Sequence, residues 1–445
     1  ADRGTAAMLL SMAFLLSSLG STIAHPVKYS LEITHHRNLS GLCDTVNQTA
    51  GYLKIEGTRD LHYFFWHFES RDNPLTDPVI LWMTGGPGCS SSLAQFHENG
   101  PCKVNKDHKT TRVNPYSWNS NASMIFIDQP AGVGFSYGDA GETDQSEQRV
   151  AEDMYFFLRE FFNTHPHLSG LPLYIFGESY GGHYAPATAY HLSTMGDMNL
   201  AGVSVGNGLT QPGVQYGYYA DMAFNFSIAK QGHPTVSTAS YRKMKKDLPL
   251  CLNLIQNCQN DSNACKKAEE MCNKGQIMPY SNTGLNPYDF REQCRHPPLC
   301  YDFSDVKDFL SQHHVRKALG VRKNWQTCNF TVNKMFTIDK MRGFQWTIPP
   351  LLANGTRVLI YAGDVDFICN WLGNEAWTLQ LDWPGKAGFN AASASAWSVD
   401  GKTAGYLRSF KGLSFLRILD AGHMVPLDKP KGALLMANNF LRDEL

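Results

Sequence analysis

No apolar run in this chain of 445 residues reaches the length that a membrane-spanning helix needs. The longest, residues 8–19 (MLLSMAFLLSSL), is followed by small residues and then His25 and Pro26. It therefore reads as a signal peptide, residues 1–24, cleaved near Ala24. Its flank is unusual: Arg3 is the only cation, Asp2 opposes it, and Ala1 is not an initiator methionine, as in a fragment of a longer chain. No C-x-x-C pair occurs, which speaks against a zinc site, and neither a metal nor an organic cofactor is expected. A long basic block is missing too. Residues 242–246 (RKMKK) are the densest cationic stretch and read as a solvated helical face. With a formal net charge of −1, nucleic acid is not an expected partner. The chain has no internal repeat and no low-complexity tract.

What is present suits a large core. Hydrophobic residues make up 43% and aromatics 12%, enough to exclude a disordered chain. Of the 11 cysteines, Cys251, Cys258, Cys265 and Cys272 recur every seven residues. That spacing puts them on one side of a helix, or lets two short segments face each other and pair in nested fashion. Cys294 and Cys300 are close enough to close a small loop. Disulfides in an oxidising compartment follow, with the odd count leaving at least one thiol out. Seven Asn-x-Ser/Thr sequons, at Asn38, Asn47, Asn121, Asn225, Asn260, Asn329 and Asn354, point to the same secretory pathway.

The chemistry centres on residues 177–181 (GESYG), which follow the apolar run 173–176 (LYIF). This is the pattern of a nucleophile elbow, in which a buried strand turns sharply into a helix and exposes the serine, here Ser179. Residues 52–55 and 62–68 are predicted to pair as a hairpin. Residues 78–83, 124–128, 202–208, 357–361 and 415–419 read as buried strands. Residues 146–162 carry a helical period. Strand–helix alternation predicts a mostly parallel sheet covered on both faces. The pattern breaks over residues 211–346, where most cysteines lie, and this stretch is expected to be an inserted lid stapled by disulfides. The core is then 25–210 together with 347–445.

An elbow serine needs a base and a carboxylate to orient that base, and in such folds they follow in the order Ser, Asp, His. After strand 357–361 come Asp364 and Asp366, between which spacing does not choose. After strand 415–419 comes His423 in Gly-His-Met-Val-Pro. An oxyanion hole would take one N–H from Tyr180 and another from the Gly85–Gly86 loop.

From about Gly51 to Leu441 the chain resembles the serine carboxypeptidases, the fungal vacuolar carboxypeptidase Y type above all. The motifs are GGPGCSS (85–91), NPYSWNSNASMIFIDQPAGVGFSY (114–137), GESYGGHYAP (177–186), GNGLT (206–210), YAGDVDFICNWLGN (361–374) and GHMVP (422–426). The resemblance implies an α/β-hydrolase fold, a triad of Ser179, Asp366 and His423, and oxyanion donors at Gly86 and Tyr180. It implies a site for the substrate's terminal carboxylate at Trp82, Thr84, Gly85, Glu98 and Glu178, with one glutamate protonated and acid pH favoured. It implies an apolar S1 pocket at Tyr180, Leu209, Tyr216, Tyr219, Ile368 and Cys369, with Met424 at S1′. It implies disulfides Cys89–Cys328, Cys251–Cys272, Cys258–Cys265 and Cys294–Cys300, a free Cys369, and a missing further bridge whose positions are Phe224 and Tyr241. Cys43 and Cys102 are extra to that pattern and most simply pair with each other, Cys43–Cys102.

The expected function is removal of C-terminal residues from peptides and proteins through an acyl-enzyme, with apolar penultimate residues preferred. Thr84 stands where the family's peptidases carry asparagine, and plant acyltransferases of the family share Thr-Gly-Gly-Pro-Gly-Cys. An acyltransferase is thus one alternative; a non-enzymatic protective partner of other hydrolases is another. The expected location is the vacuole, lysosome or extracellular space, while the terminal RDEL resembles an endoplasmic-reticulum retrieval signal. Nothing like the family's long pro-segment lies between Ala24 and Gly51, so activation differs or the start is incomplete.

Overall fold

Strands rich in Val, Ile, Leu and Phe can be buried on both faces only inside a layered sheet, and here they form its centre. In chain order the strands are β1 (Lys28–His36), β2 (Gln48–Glu56), β3 (Leu61–Phe68), β4 (Val79–Thr84), β5 (Ser123–Ile127), β6 (Leu173–Glu178), β7 (Leu200–Gly206), β8 (Arg357–Gly363), β9 (Ser395–Val399), β10 (Lys402–Phe410) and β11 (Leu413–Ile418). They line up as β1-β2-β3-β5-β4-β6-β7-β8-β11-β10-β9, with the short strand Tyr137–Gly138 added beside β3. The run β5-β4-β6-β7-β8-β11 is parallel and both flanks are antiparallel. The molecule is an α/β-hydrolase fold. This computed structural model describes residues 27–36, 41–57, 60–138 and 143–445, so the leader and the sequon at Asn38 lie outside the described residues.

Alternate residues along each central strand feed opposite faces. Ile175 joins one core with Val150, Phe157 and Tyr184, whereas Tyr174 and Phe176 join the other with Met436 and Phe440. Helix Glu147–Thr164 turns Val150, Met154, Phe157, Leu158 and Phe161 inward, the stripe its period predicts. Among the described residues no helix is long and apolar enough to cross a membrane.

Between β7 and β8 the chain is largely helical and builds most of a third apolar cluster, which Val365 and Phe367 join from beyond β8. Helices Thr238–Cys258 and Ser262–Cys272 fold back on each other and are joined by Cys251–Cys272 and Cys258–Cys265 in nested fashion. Cys43–Cys102, Cys89–Cys328 and Cys294–Cys300 are also bridged, and Cys369 is a buried free thiol. The rings of Phe224 and Tyr241 stack with centroids 4.6 Å apart. Among the sequons, Asn47, Asn225, Asn260 and Asn354 are exposed, and Asn121 is half-buried. Asn329 is turned inward instead. Its Oδ1 accepts the N–H groups of Thr331 and Val332, and its Nδ2 donates to Gly132 O at 3.0 Å, so a glycan there would displace a helix cap.

Candidate active site

The strand β6 ends at Glu178, and helix Gly181–Met195 begins three residues later. Ser179 between them has φ +61°, a left-handed conformation that costs a side chain about 1–2 kcal/mol. Its N–H donates to Gly206 O at 3.1 Å, and its C=O accepts from Leu209 N at 2.9 Å and Gly182 N at 3.0 Å. These bonds hold the strained turn. A Cβ on Gly181 would lie 2.6 Å from Met83 O, so only glycine lets the helix start this close to β4.

Three elements converge on Ser179. Asp366, fully buried after β8, accepts from His423 Nδ1 at 2.7 Å. It also accepts from Asn207 Nδ2 at 2.9 Å, Ile368 N at 3.0 Å and Cys369 N at 3.2 Å. The bond from His423 fixes the imidazole tautomer with Nδ1 protonated, and the other three donors hold the carboxylate in place. His423 is held from behind as well: its N–H donates to Tyr288 O at 2.8 Å, and the Tyr288 ring lies 5.0 Å from its own. Asp364 faces elsewhere. Lys230 and Arg417 each approach it at 3.0 Å, and Asp420 N donates to it at 2.8 Å.

On the other side of Ser179 stands the loop after β4. Gly85 abuts the elbow so closely that a Cβ on it would lie 2.3 Å from Tyr180 N. Among the described residues no backbone carbonyl takes the N–H of Gly86 or of Tyr180. Two free donors beside a nucleophile are what a developing oxyanion requires. Asp128 braces this loop. It accepts from Ser90 Oγ and Ser91 N on the loop and from Phe135 N on the neighbouring one, and burial raises its carboxyl to about 6.

Ser179 lines two cavities at once. The larger, of about 840 Å³, is walled by Tyr180, Leu209, Tyr216, Tyr219, Ile368 and Cys369, with Met341 and Ile277 further out. The smaller, of about 180 Å³, holds His423, Met424, Thr84, Gly85 and Glu178, against an apolar wall of Leu93, Leu299, Tyr301 and Phe303. Trp82 and Glu98 do not line it; they stand behind Thr84 and Glu178. Glu98 and Glu178 are both buried. Among the described residues no N–H or O–H serves either Glu98 oxygen or Glu178 Oε2, so a proton held between the two carboxyls is the donor available. Burial raises both groups, and the charge of Glu98 raises Glu178 further, well above the usual glutamate range.

Asp366, Cys369 and His423 bring a carboxylate, a thiol and an imidazole within 4.8 Å of one another. The facing atoms of Asp366 and His423 are already hydrogen-bonded, so a cation bound there would disrupt that pair. Burial first, and then Asp366, pushes the Cys369 thiol well up. Two residues of the site carry no role in the motif reading, Asn207 and Tyr288. Asn207 had a signal, an asparagine between glycines at the end of a buried strand, where its φ of +40° is tolerated. Tyr288 had none, lying in the cysteine-rich segment.

Residues 41–443 match the family described as serine carboxypeptidase. The chain is 42% identical over 415 residues to carboxypeptidase Y of Saccharomyces cerevisiae, covering 90% of this chain and 76% of that protein. It is 44% identical over 407 residues to carboxypeptidase Y of Candida albicans, with 89% and 74% covered. Serine carboxypeptidase-like 47 of Arabidopsis thaliana is 40% identical over 407 residues, with 89% and 78% covered. Among solved structures it resembles Kex1(delta)p, a prohormone-processing carboxypeptidase from Saccharomyces cerevisiae, with a TM-score of 0.79 and 27% identity over 93% of this chain and 96% of that one. This chain belongs to the serine carboxypeptidase family and is a hydrolase of that kind.

Proposed function

We propose that Ser179, His423 and Asp366 are the catalytic residues of an acid-favoured exopeptidase that frees the last residue of a peptide. The observation that carries this reading is the position of Ser179 at the junction of the two cavities. A scissile carbonyl beside Ser179 would leave the acyl side in the larger cavity and a single terminal residue in the smaller one. His423 takes the Ser179 proton as Oγ attacks, and Gly86 N–H and Tyr180 N–H hold the oxyanion. The imidazolium then protonates the departing amine. Water, deprotonated by His423, attacks the acyl-enzyme and releases the shortened peptide.

The terminal carboxylate is met in the small cavity by Thr84, Gly85 and the protonated Glu178–Glu98 pair, with Trp82 behind Thr84. The aromatic and aliphatic wall of the larger cavity suits an apolar penultimate side chain, and Met424 lines S1′. The segment 211–346 serves as the lid that supplies Tyr216 and Tyr219. An acidic compartment of the secretory pathway, with N-glycans at the exposed Asn47, Asn225, Asn260 and Asn354, suits this pH preference.

The test is release of free amino acid from an N-blocked dipeptide of two apolar residues between pH 4 and 8, beside Ser179→Ala. Acid-favoured release that vanishes in the variant is expected. Labelling of Ser179 by a fluorophosphonate without amino acid release at any pH would overturn the peptidase reading.

A further inference from the structure

The larger cavity contains polar side chains for which the chemistry above has no use, and three of them form a chain. Lys340 Nζ donates to Glu269 Oε1 at 2.9 Å and to Asn333 Oδ1 at 2.7 Å. Asn333 Nδ2 in turn donates to the carbonyls of Gly86 and Pro87, each at 3.1 Å. Glu269, Lys340, Asn333, Gly86 and Pro87 all line the cavity. Glu269 sits on helix Ser262–Cys272, which the two nested disulfides fasten. A hydrogen-bonded bridge thus crosses from the stapled wall of the cavity to the loop beside Ser179.

Gly86 is the residue of that loop whose N–H is assigned to the oxyanion. Its φ is +113°, a region open to glycine, and its N–H has no backbone acceptor among the described residues to fix its direction. Other ties hold the loop further along: Asn329 N donates to Gly88 O at 2.7 Å, Ser90 N donates to Thr327 O at 3.0 Å, and Cys89 is bridged to Cys328. None of these reaches the Gly86 carbonyl. Asn333 does, and it has to present its NH₂ rather than its oxygen to two carbonyls. Lys340 settles that choice, because the ammonium takes the carboxamide oxygen. Glu269 holds the ammonium in place, and both ends of that pair are largely buried.

We propose that Asn333 is a positioning residue for the Gly86 N–H, held in register by the Lys340–Glu269 pair; this rests on the oxyanion role assigned to Gly86 above. The contribution of the bridge is made in the transition state, through the donor it aims, and not in the ground state. Its loss therefore lowers kcat and leaves KM near its value.

The experiment compares wild type, Asn333→Ala, Lys340→Met and the double variant on two substrates. One is an N-blocked dipeptide with a bulky apolar acyl side; the other is acetyl-glycyl-phenylalanine, whose acyl side is a few atoms long. Affinity for a peptide aldehyde, which forms a tetrahedral oxyanion on the serine, is measured in parallel. A misaimed oxyanion donor should cost roughly 5- to 50-fold in kcat on both substrates and the same factor in aldehyde affinity. The double variant should be no worse than Asn333→Ala, and Lys340→Arg should recover most of the loss. A loss confined to the bulky substrate, or confined to KM, would make Lys340 a substrate contact and overturn the proposal. Unchanged aldehyde affinity or additive losses would overturn it too. Should Asn333→Ala fail to fold, the Lys340→Met arm decides alone. Wild type that releases no amino acid, or Ser179→Ala that does, would instead count against the peptidase reading.

Discussion

The indole N–H of Trp82 is donated to Oγ1 of Thr84 at 2.9 Å. Trp82 is fully buried and reaches the small cavity only through this bond. One lone pair of the threonine is thereby occupied, which leaves its own proton for an acceptor in the cavity. Thr84→Val should raise KM for a peptide acid by roughly 10- to 100-fold with little change in kcat, the value of one hydrogen bond to a charged group. The peptide's C-terminal amide lacks the carboxylate and should be hydrolysed equally well by both forms. An equal loss on the amide would show that Thr84 does something other than bind the terminal charge.

The glutamate pair sets a pH dependence whose sign can be worked out. Both carboxyls are raised by burial, so between the ordinary value of 4.5 and the raised values the folded chain holds more protons than the unfolded one. Stability from this source is complete below that ordinary value and falls as pH rises through the raised values. Glu178→Gln keeps a donor but cannot ionise. Its melting temperature should fall less steeply than that of wild type between pH 5 and 8 (about the span probed by ordinary buffers). KM for a peptide acid should rise with pH in wild type and stay nearly flat in the variant.

Two aspartates two residues apart should fail in different ways. Asp366→Asn keeps the shape but no longer fixes the His423 tautomer, so kcat should fall by about 10⁴-fold in a folded protein. Asp364 is fully buried and faces Lys230 and Arg417. Asp364→Ala takes the carboxylate from Arg417 and the acceptor from Asp420 N, while Lys230 keeps Asp420 at 2.7 Å, and should cost about 3–5 kcal/mol of stability. Chemical denaturation beside steady-state kinetics separates the two. A kinetic defect in an Asp364 variant of normal stability would contradict the assignment.

Cys369 is buried and its thiol is held protonated, so iodoacetamide should modify it slowly. A mercurial binds sulfur strongly enough to expel the proton, and would sit against Asp366 and His423. Activity should therefore be lost with mercurials and spared in Cys369→Ser. Inhibition that persists in the serine variant would place the sensitive group elsewhere.

The parts of the fold that could be read in the chain are those where one physical demand dominates. Buried parallel strands must be continuously apolar, and β4, β5 and β6 stand out for that reason. The edge strand β1 and the hairpin β9–β10 did not. In β9 only Trp397 is buried, so no apolar run marks it. Residues 300–320 have helical spacing in the sequence but form two helices, because Gln312 takes an extended conformation and its side chain donates to His108 O and Lys109 O. A contact with a residue 204 positions away cannot be seen in a local period. The same limit governs the site. Ser179 and His423 announce themselves through glycines and strand ends, whereas the Asn333–Lys340–Glu269 bridge joins segments that are unrelated until the chain has folded.

The disulfide between Cys89 and Cys328 spans 239 positions and ties the Gly85–Gly86 loop to the segment carrying Asn333. On a ribosome adding about 5–20 residues per second, Cys89 waits on the order of tens of seconds for its partner. During that interval Cys43 and Cys102, only 59 positions apart, can already close. The last cysteine pair to become available is thus the one that fastens the loop beside the nucleophile. A nascent chain would carry Ser179 before it carries Cys328, so the loop beside that serine is fastened only late in its own synthesis.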